Sequence, residues 1–242
     1  MKNSNLKSTT KDKFIAIIPC YEPPKAVIEY CKSLINNGID DVIIVNDGSN
    51  STYNDVFSCL KKFCTVLEYK ENKGKGFALK HAFLYCKQTF NKNDCFVTCD
   101  CDGQHAYNDV LNCVKTSKDN TNALILGVRD FSKNGVPKRS KFGNNSTKTL
   151  FKLLYKTKIS DTQTGLRAFS YSQLDYLLKI SGNRFEYEMN TLVQYAKGNK
   201  KIIEVKIETI YNKKQDDVKK RSHFKTFSDS IKVWGVLFKN LF

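Results

Sequence analysis

Short apolar runs alternate with longer stretches of helical spacing along the first half of the chain. Phe14–Ile18, Val42–Val45, Thr65–Tyr69, Cys95–Cys99 and Ala123–Gly127 read as strands. Between them, Pro24–Asn36 sets Val27, Cys31, Leu34 and Ile35 at helical spacing and stops at Gly38. Tyr53–Phe63 is helical in pattern, and Gly76–Phe90 puts Ala78, Ala82, Phe83 and Cys86 on one side. Near-continuous apolar strands separated by helices predict an α/β fold: a mostly parallel central sheet, helices on both faces and right-handed crossovers. The second half is less regular. Arg139–Lys156 is a basic helical stretch, Asp161–Phe169 is polar and turn-like, Phe185–Tyr195 is helical and Lys201–Glu208 alternates as a strand. Tyr211–Lys225 reads as a charged loop and Thr226–Phe242 as a terminal amphipathic helix. The organisation expected is a polar tail (1–13), one α/β domain (14–211) and a basic loop with an amphipathic C-terminal helix (212–242).

Composition narrows the class. The 242 residues are 40% hydrophobic and 26% charged, which is globular, and suit one large domain. The formal charge of +16 favours anionic partners: nucleic acid, lipid headgroups or phosphorylated substrates. Nine cysteines, an odd number without paired CxxC motifs, argue against a disulfide framework and for reduced thiols in a cytoplasmic setting. The polar start predicts no signal peptide, and no apolar run reaches the length of a membrane span.

In doubly wound sheets, ligands bind beyond the carboxyl ends of the strands. The residues there are Pro19-Cys20-Tyr21-Glu22, Asn46-Asp47-Gly48-Ser49 and Asp100-Cys101-Asp102-Gly103-Gln104-His105. Asp100 and Asp102, one residue apart, suit a hard cation that neutralises a diphosphate; Gln104 can add an oxygen ligand and His105 an imidazole. A carboxylate at Asp47 can accept hydrogen bonds from a base or ribose, or serve an ordinary Asp-Gly turn. Lys73 and Lys75 flank glycine before a helix, where Gly74 and Gly76 admit close backbone approach and a helix N-terminus favours anions. No Walker loop and no GxGxxG are present. Cys99, Cys101 and His105 lack the spacing and the fourth ligand of a zinc site.

Together the motifs resemble the family 2 glycosyltransferases of the GT-A (Rossmann-like, nucleotide-diphospho-sugar transferase) fold. They run in family order: Ile18-Pro19-x-Tyr21, Ile44-Val45-Asn46-Asp47-Gly48-Ser49, Asn72-Lys73-Gly74-Lys75-Gly76, and Asp100 to His105. Gly127-Val-Arg129, Arg139-Ser-Lys-Phe-Gly143-Asn144, Asp161 to Arg167, Arg184 to Asn190 and Glu208 to Tyr211 continue it over roughly residues 14 to 235. Within the family the chain looks most like the dolichyl- and polyprenyl-phosphate enzymes. Asn46 and Ser51 replace aspartates of the usual turn, and Cys101 stands where a small residue such as Ala is usual.

The resemblance implies a metal-dependent, inverting hexosyl transfer from a UDP- or GDP-sugar to a polyprenyl phosphate. Pro19, Tyr21, Glu22, Asp47, Lys75, Asp100 and Gln104 would bind the nucleotide-sugar. Asp102 with Gln104 would hold Mg²⁺ or Mn²⁺. Arg129, Arg139 and Lys141 would receive the acceptor phosphate, with Arg221 and His223 closing over it. Arg167, beside donor sugar and acceptor, either acts in catalysis with Asp100, Asp102, Arg129 and Arg139 or pairs with Asp161. Glu186 and Glu188 point to different sides of a helix, so one faces the site; either is a base candidate if the acceptor is a hydroxyl.

From Lys197 to Lys225 there are ten Lys/Arg against four Asp/Glu. Phe227, Ile231, Trp234, Phe238 and Leu241 then form one apolar helical stripe. A basic aromatic helix fits a membrane surface or, alternatively, the protein's own core. The expectation is peripheral association with the cytoplasmic face of a membrane, with a small multi-helix membrane protein as a possible partner. The rival readings are a glycosyltransferase with a glycan or other hydroxyl acceptor, a non-catalytic sugar-nucleotide binder, and a basic nucleic-acid-binding protein. The last has no helix-turn-helix, zinc-finger or RNP signature behind it.

Overall fold

A computed structural model describes residues 11–131, 138–208 and 235–239, with residues 138–142 described by backbone alone. Seven strands are β1 (Phe14–Cys20), β2 (Asp41–Asp47), β3 (Thr65–Tyr69), β4 (Cys95–Thr98), β5 (Leu124–Arg129), β6 (Arg167–Ser170) and β7 (Ile202–Ile207). Seven helices are α1 (Val27–Asn36), α2 (Asn54–Leu60), α3 (Lys75–Thr89), α4 (Tyr107–Asp119), α5 (Lys138–Tyr155), α6 (Leu174–Lys179) and α7 (Glu186–Lys197). The strands form one sheet in the order β3-β2-β1-β4-β6-β5-β7. All run parallel except β6, which pairs antiparallel with both β4 and β5.

Each apolar strand feeds two cores because successive side chains point to opposite faces. Ile15, Ile17, Ile43 and Val45 pack on one face beneath α3, α5, α6 and α7. Ala16, Ile18, Val42 and Ile44 pack on the other beneath α1, α2 and α4. Both faces are therefore covered, and strands buried on two sides read as continuous apolar runs. Cys20, Cys31, Cys86, Cys95, Cys99 and Cys113 are buried small residues of these cores, and all nine thiols are free.

Two differences from the sequence pattern matter. The Asp161–Phe169 segment is not turn-like throughout: its last three residues open β6, fully buried between β4 and β5. Tyr107–Asp119 forms a full helix, α4, in a stretch whose sequence pattern assigned no element. Residues 235–239 are helical, within the expected terminal helix. The tail at 1–10, the loop from Tyr211, and Phe227, Ile231, Trp234 and Leu241 of the stripe lie outside the described residues, as do Arg221 and His223. Arg139 and Lys141 fall on α5, with side chains outside the described set.

The chain winds from β1 through α1 to β2 and β3, then returns by α3 to place β4 on the other side of β1. The strand order thus reverses at β1, where an open sheet receives ligands.

Candidate active site

A cavity of about 310 Å³ opens at this reversal. Pro19, Cys20 and Tyr21 line it from β1, Asp47 from β2, Asn72, Gly74 and Lys75 from the start of α3, and Asp100 to Asp102 from the end of β4. Arg184 and Phe185, just before α7, complete the wall.

The β2 turn is tied to its neighbours. Asn46 Oδ1 accepts the Ser49 N–H at 3.0 Å, and Ser49 Oγ accepts the Glu22 N–H at 2.9 Å. Gly48 has φ +66°, and a Cβ there would lie 2.4 Å from the Asn72 nitrogen, so the turn admits only glycine. The buried Asp47 carboxylate accepts hydrogen bonds from Tyr69 Oη at 2.8 Å, the Lys73 N–H at 2.8 Å and the Gly74 N–H at 2.9 Å. Asn72 Nδ2 adds a fourth at 3.1 Å. Asp47 therefore shapes the loop that begins α3 while lining the cavity.

Gly74, at φ +96°, starts α3, and a Cβ there would meet Arg184 Cγ at 2.5 Å. The next residue, Lys75, points into the site. Its Nζ lies 2.7 Å from Asp100 Oδ1 and 2.9 Å from Glu188 Oε1. Burial alone would lower the Lys75 pKa, but these two carboxylates hold it above the usual lysine value. Asp100 is the counterpart. Burial works to raise its pKa, yet Lys75, with His105 Nε2 at 3.4 Å from Oδ2, keeps it well below the carboxylate range. A Cβ on Gly165 would approach Asp100 Oδ2 to 2.4 Å, so the segment before β6 touches the carboxylate directly. Lys73 turns elsewhere, its Nζ 4.8 Å from the Phe77 ring centroid and 5.7 Å from that of Tyr69.

Asp102 is differently placed. Its Oδ1 accepts the Gln104 N–H at 3.0 Å, and burial together with the Asp100 charge raises its pKa. It is a carboxylate short of compensating charge, on a cavity wall, two residues before Gln104. Those donors fit a hard divalent cation. No group of three or more His, Cys, Asp or Glu that could hold a metal ion occurs among the described residues. Two protein oxygens with phosphate and water completing the shell is a common arrangement for Mg²⁺.

The remaining candidates are held by other partners. The Arg129 fork is engaged by the fully buried Asp161, with Nε at 2.7 Å and Nη2 at 3.1 Å. Arg167 does not pair with Asp161: Nε donates to the Thr164 carbonyl at 3.1 Å and Nη1 to the Glu188 carbonyl at 2.6 Å. Its Nη2 is buried without a hydrogen-bond partner. Glu188 faces the site through Lys75, whereas Glu186 turns back to accept the Asn183 and Arg184 N–H groups. Of the expected site residues, Pro19, Tyr21, Asp47, Lys75, Asp100 and Asp102 share the cavity wall; Glu22, Gln104, Arg129 and Arg167 do not line it. Sequence reasoning missed Asn72, Arg184 and Phe185 as lining residues, although the Asn72 and Arg184 motifs had been recognised.

The wall can hold a nucleotide: apolar Pro19 and aromatic Tyr21 for a base, hydrogen-bonding side chains for a ribose, and a cation-hungry carboxylate for a diphosphate. Comparison with known proteins places the chain in a family. A protein of Methanococcus voltae described as a UDP-N-acetylglucosamine–dolichyl-phosphate N-acetylglucosaminyltransferase is 29% identical over 223 residues, covering 83% of this chain and 87% of its own. An uncharacterized protein of Methanocaldococcus jannaschii is 29% identical over 218 residues, covering 87% and 86%. Among solved structures, glucosyl-3-phosphoglycerate synthase from Mycobacterium tuberculosis, in complex with Mn²⁺, UDP and glucosyl-3-phosphoglycerate, superposes with a TM-score of 0.67 at 16% identity. It covers 95% of this chain and 80% of its own, and shows the fold to be shared. The family model "Glycosyl transferase family 2" matches residues 15–178, which takes in every strand but the last, and the chain belongs to that family.

Proposed function

We propose that this glycosyltransferase moves a hexose from a UDP- or GDP-sugar to a polyprenyl phosphate, with inversion, at the cytoplasmic face of a membrane. The observation that carries the reading is the placement of Asp100 and Asp102 at the end of β4, on a cavity wall shared with Tyr21, Asp47 and Lys75. The relative that bears a dolichyl-phosphate transferase description supports the acceptor class.

The chain's residues divide the work. Asp47 and the α3 loop fix the floor on which the nucleoside rests. Lys75 holds Asp100 ionised and aimed, so that it accepts hydrogen bonds from the donor without rearranging. Asp102 and Gln104 would hold Mg²⁺ or Mn²⁺, which when bound supplies charge neutralisation to the leaving nucleoside diphosphate. A phosphate acceptor is already anionic, so positioning replaces a strong base. Glu186 is occupied in its own loop and Glu188 by Lys75, which is what a base-free mechanism allows. Arg139, Lys141, Arg221 and His223 remain candidates for the acceptor phosphate. The helical residues 235–239 favour a membrane surface: Leu237 is buried in the core, while Phe238, of the apolar stripe, is 50% exposed.

The test is transfer of label from each nucleotide-sugar into an organic-phase product, with a short polyprenyl phosphate and Mg²⁺ or Mn²⁺. One donor should give metal-dependent transfer, and Asp102→Asn should abolish it. Transfer unchanged by EDTA and by Asp102→Asn would sink the metal role. Equal transfer to a soluble glycan would move the acceptor to the hydroxyl class.

A further inference from the structure

Arg184 and Phe185 line the cavity, yet the donor reading gives them no role. They stand at the junction of α6 and α7, and the segment that carries them is pinned. The Phe77 N–H donates to the Asn183 carbonyl at 2.8 Å, and Lys80 Nζ to Asn183 Oδ1 at 2.9 Å. The Glu186 carboxylate accepts the Asn183 and Arg184 N–H groups at 3.0 and 3.1 Å. Behind it, Gly74 and Gly76 would each meet this region within 2.5 Å if they carried a Cβ. Phe185 is nevertheless 57% exposed. A large ring held rigidly against solvent, on the wall of a pocket, is a surface prepared for a partner.

The charges on the wall sharpen this. Asp47, Asp100 and Asp102 are acidic; Lys75 and Arg184 are the cations. Lys75 is engaged by Asp100 and Glu188. Arg184 Nη1 reaches only the neutral Asn72 Oδ1, at 3.3 Å, and no carboxylate lies within ion-pair distance of its guanidinium among the described residues. Glu186 accepts the Arg184 backbone N–H rather than its guanidinium. Arg184 is thus the cation of the wall whose guanidinium closes no ion pair among the described residues, although its charge is felt by Glu186.

We infer that Arg184 and Phe185 form a second wall of the nucleotide site, with the Phe185 ring packing on the base and the Arg184 guanidinium hydrogen-bonding the diphosphate. The inference rests on the nucleotide-sugar reading of the cavity. Aromatic rings bind any base through its π-face, and a guanidinium fork matches phosphate oxygens. Phe185 then contributes to affinity for all nucleotides, and Arg184 only for those that carry phosphate.

Calorimetric titration of the full-length protein with UDP and GDP in Mg²⁺ tests it. Phe185→Leu should weaken the better nucleotide about tenfold, and Phe185→Trp should retain affinity. Arg184→Gln should weaken the diphosphate about tenfold but leave the free nucleoside, measured by competition, unchanged; Arg184→Lys should recover part of the loss. That split is one a general loosening of the loop would not produce. Melting temperatures within a degree or two of wild type would show the variants folded, as exposed side chains predict. Wild-type affinity in Phe185→Leu and Arg184→Gln, or equal losses of nucleoside and diphosphate in Arg184→Gln, overturns the inference. Wild-type protein that binds neither UDP nor GDP overturns the nucleotide reading itself, and this wall with it.

Discussion

At the scale of single residues, the site depends on groups whose chemistry is set by contact. Gly165 shows the point most sharply. Its Cα lies so close to Asp100 that a methyl group would meet both carboxylate oxygens, at 2.4 and 2.6 Å. Real side chains do not tolerate such contacts, so Gly165→Ala must displace either β6 or Asp100. Displacing a positioned group by an ångström costs about a hundredfold in rate. The expected result is a loss of that order in kcat/KM for sugar transfer. The melting temperature should fall by only a few degrees, because the Asp100 side chain is partly exposed and can move. A wild-type rate in the variant would show that Asp100 need not sit where it does. Lys75 belongs to the same scale. Lys75→Met leaves Asp100 and Glu188 facing one another without their shared cation, and should lower transfer at least tenfold.

At the scale of elements, the start of α7 gives a prediction with a pH signature. Glu186 reaches back to the N–H groups of the residues before its own helix, as in a capping arrangement. Burial pushes its pKa up, but those N–H bonds and the Arg184 charge outweigh it, so the folded-state value lies below the usual glutamate value. An acid depressed on folding stabilises above its unfolded pKa and loses that contribution as the pH falls through the folded one. Glu186→Gln should therefore cost about 0.5–1 kcal/mol at pH 7. The gap between variant and wild type should begin to narrow as the pH falls below the ordinary glutamate value of about 4.3 and vanish only below the depressed folded-state value. A gap independent of pH would mean that the carboxylate charge is not what holds the loop. Element by element, legibility in the sequence followed periodicity. β1 and β2 were readable because two-sided burial makes continuous apolar runs, and α3 because its small residues recur at helical spacing. β6 was not: four residues, one of them arginine, give no period, and its burial comes from β4 and β5 on either side. The strand-end acids were legible because an α/β sheet puts ligands there. Arg184 and Phe185 were not, since only the return of α7 toward α3 brings them to a wall built mainly by the first half of the chain.

At the scale of the whole molecule, the charge is distributed unevenly. Between Phe131 and Ser160 there are eight Lys/Arg and no Asp/Glu. This stretch includes α5, where Lys152 and Leu153 are exposed, Leu153 to 75%, as is Lys156 just beyond it. The helical residues 235–239 are tied to the same helix: Tyr155 Oη donates to the Leu237 carbonyl at 2.6 Å, Leu237 is buried, and Phe238 and Lys239 are exposed. No helix among the described residues is long and apolar enough to cross a membrane. Contact with a bilayer would then be made by a basic face that carries a few apolar tips, and such binding depends on both components. The protein should co-sediment with vesicles that contain anionic lipid and stay in the supernatant with purely zwitterionic ones. Raising the salt from about 0.1 M toward 0.5 M should release it, since exposed charges are screened over about 10 Å at the lower value and less above it. Phe238→Glu, which places a carboxylate among the apolar tips without touching the buried Leu237, should weaken vesicle binding several-fold and leave UDP or GDP binding unchanged. Asp102→Asn should do the reverse, sparing vesicle binding while it abolishes transfer. If Phe238→Glu leaves vesicle binding intact, this helix does not meet the lipid, and the acid-free α5 stretch must carry the contact alone.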